Sequence, residues 1–115
     1  MKESIKSIAE WSEHTFPDAT LDGQLQKFKD EKREWWDSER DDILELADMF
    51  IVACSLTRFN SPEAMFCFGR VEEELCHSAF VTQDLEKAVD EKMAINRKRQ
   101  WNFSNGQYQH KGSTK

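Results

Sequence analysis

The chain has 115 residues, 33% of them charged and 38% hydrophobic, with 22 Asp and Glu against 16 Lys and Arg. That length suits one domain spanning 1–115, and a content of 11% aromatic residues excludes a disordered chain. Four Gly and two Pro are too few for a turn-rich all-β fold, and no apolar run approaches the length of a membrane span.

A first helix is expected over residues 2–15, with Ile5, Ile8, Ala9, Ser12 and Phe16 on one stripe. Phe16-Pro17-Asp18 ends it, because the residue before proline is pushed out of the α region. A second helix runs from about Leu21 to Asp37, capped by Thr20 or Asp22. Its stripe is Leu21, Leu25, Phe28, Lys32, Trp35 and Trp36, with Glu31 and Glu34 one turn apart on the flank and Lys27 above them. Residues 37–42, DSERDD, form a polar link.

The run Asp41 to Leu56, DDILELADMFIVACSL, is the most apolar of the chain, and its helix is expected to continue to Arg58 or Phe59. At about 100° per residue, Ile43, Leu46, Ala47, Phe50, Ile51 and Cys54 share one side. Glu45, Asp48 and Val52 share the other, which Met49, Ala53 and Leu56 make largely apolar too. A helix apolar nearly all round is buried. Two acids on it are costly unless they pair or hold a cation.

Ser61 as cap, Pro62 in the first turn and Glu63 behind it start a fourth helix over about 62–79. Ala64, Phe68, Val71, Leu75 and Ala79 are its expected inner face, and Glu72, Glu73 and Glu74 read as a solvated run. Thr82, followed by Asp84 and Glu86, opens a fifth helix running to about Arg99. Its inward side begins as Leu85, Ala88 and Val89 and then becomes Lys92, Asn96 and Arg99. Polar residues at core positions point to function, here an anion clamp aimed inward. Asn105-Gly106 marks a hairpin or tight turn within 101–111, and 112–115 should be loose. The fold class is therefore all-α, four to five helices with a short C-terminal hairpin, completed by a second subunit.

Charge is unevenly spread. Residues 92–115 hold six bases and no acid, so a chain of net −6 carries −12 on the rest. Cys54, Cys67 and Cys76 sit inside helical patterns with no CxxC and read as core thiols of a reducing, cytoplasmic compartment. The tryptophans read first as core; one of Trp35, Trp36 or Trp101 could stack on a base. His14, His77 and His110 are too scattered for zinc.

Two pairs of acids three residues apart, Glu31 with Glu34 and Glu45 with Asp48, converge if the second and central helices form an antiparallel hairpin. Oxygen-only ligation selects Mg²⁺, with Mn²⁺ as the alternative. Glu31-x-x-Glu34, Glu45-Leu-Ala-Asp48 and Lys92-Met93-Ala94-Ile95-Asn96-Arg97 together resemble the all-α nucleoside triphosphate pyrophosphohydrolases of the MazG and dCTP pyrophosphatase type. The segment between Asp48 and Lys92 is longer than in compact members, and Gln100-Trp101 stands where a Tyr usually follows.

The resemblance implies a homodimer or homotetramer that splits the α–β bond of (deoxy)nucleoside triphosphates. It implies Mg²⁺ on Glu31, Glu34, Glu45 and Asp48, with Glu31 or Glu34 handling the water. Lys92, Asn96, Arg99 and Trp101 would contact substrate. A non-catalytic helical dimerisation or adaptor module is the alternative. Net acidity argues against a nucleic-acid partner.

Overall fold

A computed structural model describes residues 1–99, 101–104 and 107–110, with side chains through 99 and at Trp101. The described residues form helices α1 (Ile5–Thr15), α2 (Leu21–Asp37), α3 (Ile43–Leu56), α4 (Glu63–Cys76) and α5 (Thr82–Asn96). A 3₁₀ turn, Thr57–Phe59, extends α3 as expected. Strands β1 (Trp101–Ser104) and β2 (Gln107–His110) pair antiparallel, Trp101 opposite His110 and Ser104 opposite Gln107. The expected Asn105-Gly106 turn and loose tail 112–115 lie outside the described residues.

Each helix begins where a side chain can satisfy its first amides. Ser4 accepts from Ser7 N–H, Thr20 from Gly23 N–H and Asp42 from Leu44 N–H. Ser61 Oγ accepts from Glu63 N–H at 3.3 Å. At α5 the cap is Val81 rather than Thr82, and its N–H donates to Asp84 Oδ2 at 2.9 Å. The acid in the first turn thus satisfies the amide of the cap residue itself, while its own N–H bonds the Val81 carbonyl at 3.0 Å.

α3 is the centre of the molecule. Leu46, Ala47, Met49, Ala53, Cys54 and Leu56 are wholly buried, and α1, α2, α4 and α5 all pack on it. The acids of α2 and α3 are set by the link between those helices. Glu39 (φ 59°) and Arg40 (φ 57°) both lie in the left-handed region, which costs a non-glycine residue about 1 kcal/mol. Two consecutive left-handed residues turn the chain sharply enough to bring α3 back along α2.

Several sequence expectations are corrected. α1 starts at Ile5, whose side chain is exposed rather than on the stripe. α4 ends at Cys76, and its buried stripe is Ala64, Cys67, Val71 and Glu74, with Phe68 and Leu75 half-buried beside it and Ala79 exposed. Cys76 is therefore not a core thiol. α5 stops at Asn96, three residues before the expected end, so Arg99 lies beyond the helix. Trp36 is 44% exposed, because the inner stripe of α2 passes through Trp35 and leaves its neighbour on the rim.

Candidate functional site

The turn at Glu39 and Arg40 sets α2 against α3, and the two acid pairs meet. One carboxylate oxygen from each of Glu31, Glu34, Glu45 and Asp48 can be chosen so that all four lie within 4.8 Å of one another. Glu31 is buried and the other three are half-buried. The Oε2 atoms of Glu31, Glu34 and Glu45 are shielded from solvent. Glu45 lies in the first turn of α3, where the positive end of the helix dipole favours an anion.

Two lysines bring positive charge to the cluster. Lys27 Nζ is 3.6 Å from Glu31 Oε1, one turn back along α2. Lys92 Nζ, from the inward face of α5, is 3.3 Å from Asp48 Oδ2. Lys92 is only 8% exposed, so its stem belongs to the core and its ammonium to the carboxylates. Four converging carboxylates suit an added cation. The donor set is all oxygen, which fits a hard metal ion. The cluster could hold a metal ion.

The other expected site residues form a second group at the end of α5. Asn96 is buried one turn beyond Lys92, and its Oδ1 accepts from Arg99 Nη1 at 3.5 Å. Trp101 Nε1 donates to the Asn96 carbonyl at 3.4 Å. The Trp101 ring packs edge-on to Phe16 at 4.9 Å and to Trp11 at 6.2 Å. The first strand is thus held to the end of α1, and Trp101 is half-buried there. Of the three candidates to cover a base, Trp35 is removed: it is fully buried and its indole N–H is engaged.

That engagement is with Glu74, a residue expected to be solvated. Glu74 is buried, and its Oε1 accepts from Trp35 Nε1 at 3.0 Å, Trp36 Nε1 at 3.0 Å and Arg40 Nε at 3.2 Å. Burial alone would push its carboxyl up. The bonds from Trp36, Trp35 and Arg40 outweigh that and hold it below its ordinary value. The carboxylate ties α4 to the end of α2 and to the turn that positions the acids. The signal lay in the spacing Ala64, Cys67, Val71, Glu74, an inner-face repeat ending on an acid.

Among the helices of the described residues, none is long and apolar enough to cross a membrane. No family model matches the sequence, and neither the curated proteins nor the solved structures contain a match to it.

Proposed function

We propose that the protein is a Mg²⁺-dependent nucleoside triphosphate pyrophosphohydrolase, cleaving (deoxy)nucleoside triphosphates to a monophosphate and pyrophosphate. The observation that carries this reading is the convergence of Glu31, Glu34, Glu45 and Asp48 with Lys92 beside them. Its motifs resemble the MazG-type enzymes, and the all-helical fold is the one that resemblance implies.

The four carboxylates would hold Mg²⁺, with Mn²⁺ as a substitute, and the ion would neutralise charge on the phosphates. Glu31 or Glu34 would orient a water and take its proton as the water attacks the α-phosphorus. Lys92 would exchange Asp48 for a phosphate oxygen when substrate binds. Arg99 would grip phosphate, and Asn96, exchanging its bond to Arg99, would bind sugar or base. Trp101 or Trp36 would flank the base. The role would be removal of unwanted nucleotides or control of the pool. Cysteines that stay free in the fold fit a cytoplasmic setting.

Incubation with each nucleoside triphosphate and Mg²⁺, with products resolved by chromatography, tests the reading. Monophosphate and pyrophosphate in equal amounts, lost on chelation and in Asp48→Asn, are expected. Orthophosphate without pyrophosphate would overturn it. An inert protein whose stability ignores chelators would favour the adaptor module.

A further inference from the structure

We infer, resting on the pyrophosphohydrolase reading, that Gln24 and Lys27 form a second wall of the nucleotide site, Lys27 contacting the α-phosphate and Gln24 the base. On α2, Gln24, Lys27, Glu31 and Glu34 lie within about 80° of one another, a polar line along one side of the helix. Glu31 and Glu34 belong to the acid cluster. The line continues from Glu31 by one turn to Lys27 and by two to Gln24.

That direction is the one in which the other substrate residues lie. Trp101 donates to the Asn96 carbonyl, and its ring packs on Phe16. Phe16 stands just before α2, and its carbonyl accepts from Arg58, just beyond the end of α3. The starting end of α2 and the finishing ends of α3 and α5 are therefore together. Both α2 and α5 border the acid cluster, through Glu31 and through Lys92. A path from the acids towards Trp101 thus has Lys27 and Gln24 along α2 and Asn96 along α5.

Each of the two residues has chemistry to offer there. Lys27 is half-buried, and its one ion pair among the described residues, with Glu31 at 3.6 Å, is longer than a hydrogen bond. Gln24 is 5% exposed, yet no hydrogen bond joins its carboxamide to a described residue. A carboxamide at so buried a position calls for a partner. It offers two donors beside one acceptor, the pattern that matches the edge of a base. Glu31 and Gln24 are two turns apart, about 10 Å along the axis, a span that a ribose and base cover. In the reaction, the oxygen of water bonds to the α-phosphorus as the bond to the α–β bridging oxygen breaks, and pyrophosphate leaves with that oxygen. One proton of the water passes to Glu31 or Glu34, and the other stays on the new phosphate oxygen. Lys27 moves no proton; its ammonium holds a non-bridging α-oxygen as charge builds there.

Calorimetric titration in Mn²⁺ with each of the four deoxynucleoside monophosphates, and with inorganic pyrophosphate, tests this, because the monophosphate keeps both groups concerned. The wild type should bind the four unequally. Gln24→Met should weaken the best of them by at least about tenfold and flatten the preference. Its melting temperature should be no lower than that of the wild type, since an apolar side chain of like size replaces an amide with no partner in the fold. Misfolding therefore cannot mimic the loss. Lys27→Met should weaken all four by at least about tenfold, while pyrophosphate binding stays within about threefold. A chain that splits nucleoside triphosphates, yet keeps wild-type monophosphate affinity in either variant, would overturn this inference alone. A wild type that neither splits triphosphates nor binds monophosphates would overturn it together with the reading beneath it.

Discussion

Glu45→Gln should make the metal-free protein more stable and shrink the stabilisation that metal adds. Two unit charges 4.8 Å apart repel by roughly 3.5 kcal/mol at an effective dielectric of about 20. The Glu45 carboxylate faces three others at or within that separation. Lys27 and Lys92 offset part of this, and water and counter-ions screen more. A net relief of about 1–2 kcal/mol is expected, or a rise of roughly 4–8 °C in melting temperature for a chain of this length.

Metal acts in the opposite sense. At ten times its dissociation constant, Mn²⁺ should stabilise the wild type by about 1.4 kcal/mol, or about 6 °C. In Glu45→Gln the loss of one ligand should weaken binding tenfold or more and remove most of that gain. Differential scanning calorimetry in chelator and across a Mn²⁺ titration measures both effects. A variant that melts below the wild type in chelator, yet gains as much from Mn²⁺, would refute the reasoning, because the carboxylates would then neither repel nor bind.

Lys92→Met keeps the buried stem but removes the ammonium 3.3 Å from Asp48. Thermal melts should show a loss of about 2–4 kcal/mol without metal, partly recovered with Mn²⁺, whose charge takes the place of the ammonium. Glu74→Gln should cost about 2 kcal/mol in urea denaturation at pH 7, since charge-assisted bonds to Trp35, Trp36 and Arg40 become neutral ones. The folded Glu74 carboxyl titrates below its ordinary value, so its stabilisation is present above the unfolded value and lost as the pH falls through the folded one. The gap between wild type and Glu74→Gln should therefore be flat from neutral pH down to about 5 and close in more acid solution, and a gap that widens there would contradict the sign. Burial pushes the Cys54 and Cys67 thiols up to about 12 and about 11. Iodoacetamide at pH 8 should alkylate Cys76 alone in the native protein, with mass spectrometry showing all three modified only after denaturation.

The helices were legible because their boundaries carry chemistry. Thr20 caps α2 as expected, and Phe16-Pro17 and Ser61-Pro62 mark a true stop and a true start. The acid cluster was legible because an i, i+3 spacing on two helices leaves little choice of face. The turn that joins those helices was not. Left-handed residues usually announce themselves as Gly or Asn, whereas here they are Glu39 and Arg40 in a polar, mostly charged link. Arg40 is held there by its bond to Glu74, a long-range tether that no local pattern encodes. On α4, a choice between two overlapping apolar stripes decided the error. The stripe through Phe68 and Ala79 looks as good on a wheel as the one through Cys67 and Glu74, and it hides the buried acid among two solvated ones. Placing both Trp35 and Trp36 on one inner stripe failed in a similar way: they are adjacent, yet one is sealed and the other stands in solvent.

The central place of α3 has a consequence for how the molecule opens. Because every other helix rests on α3, α3 is released only when the whole structure comes apart. Its amides should be the last to exchange with deuterated solvent, while the ends of α1 and the strands exchange early. Glu45 and Asp48 lie on that last-opening segment. A cation held there would slow the opening of the entire molecule, and its departure would be felt in every helix at once.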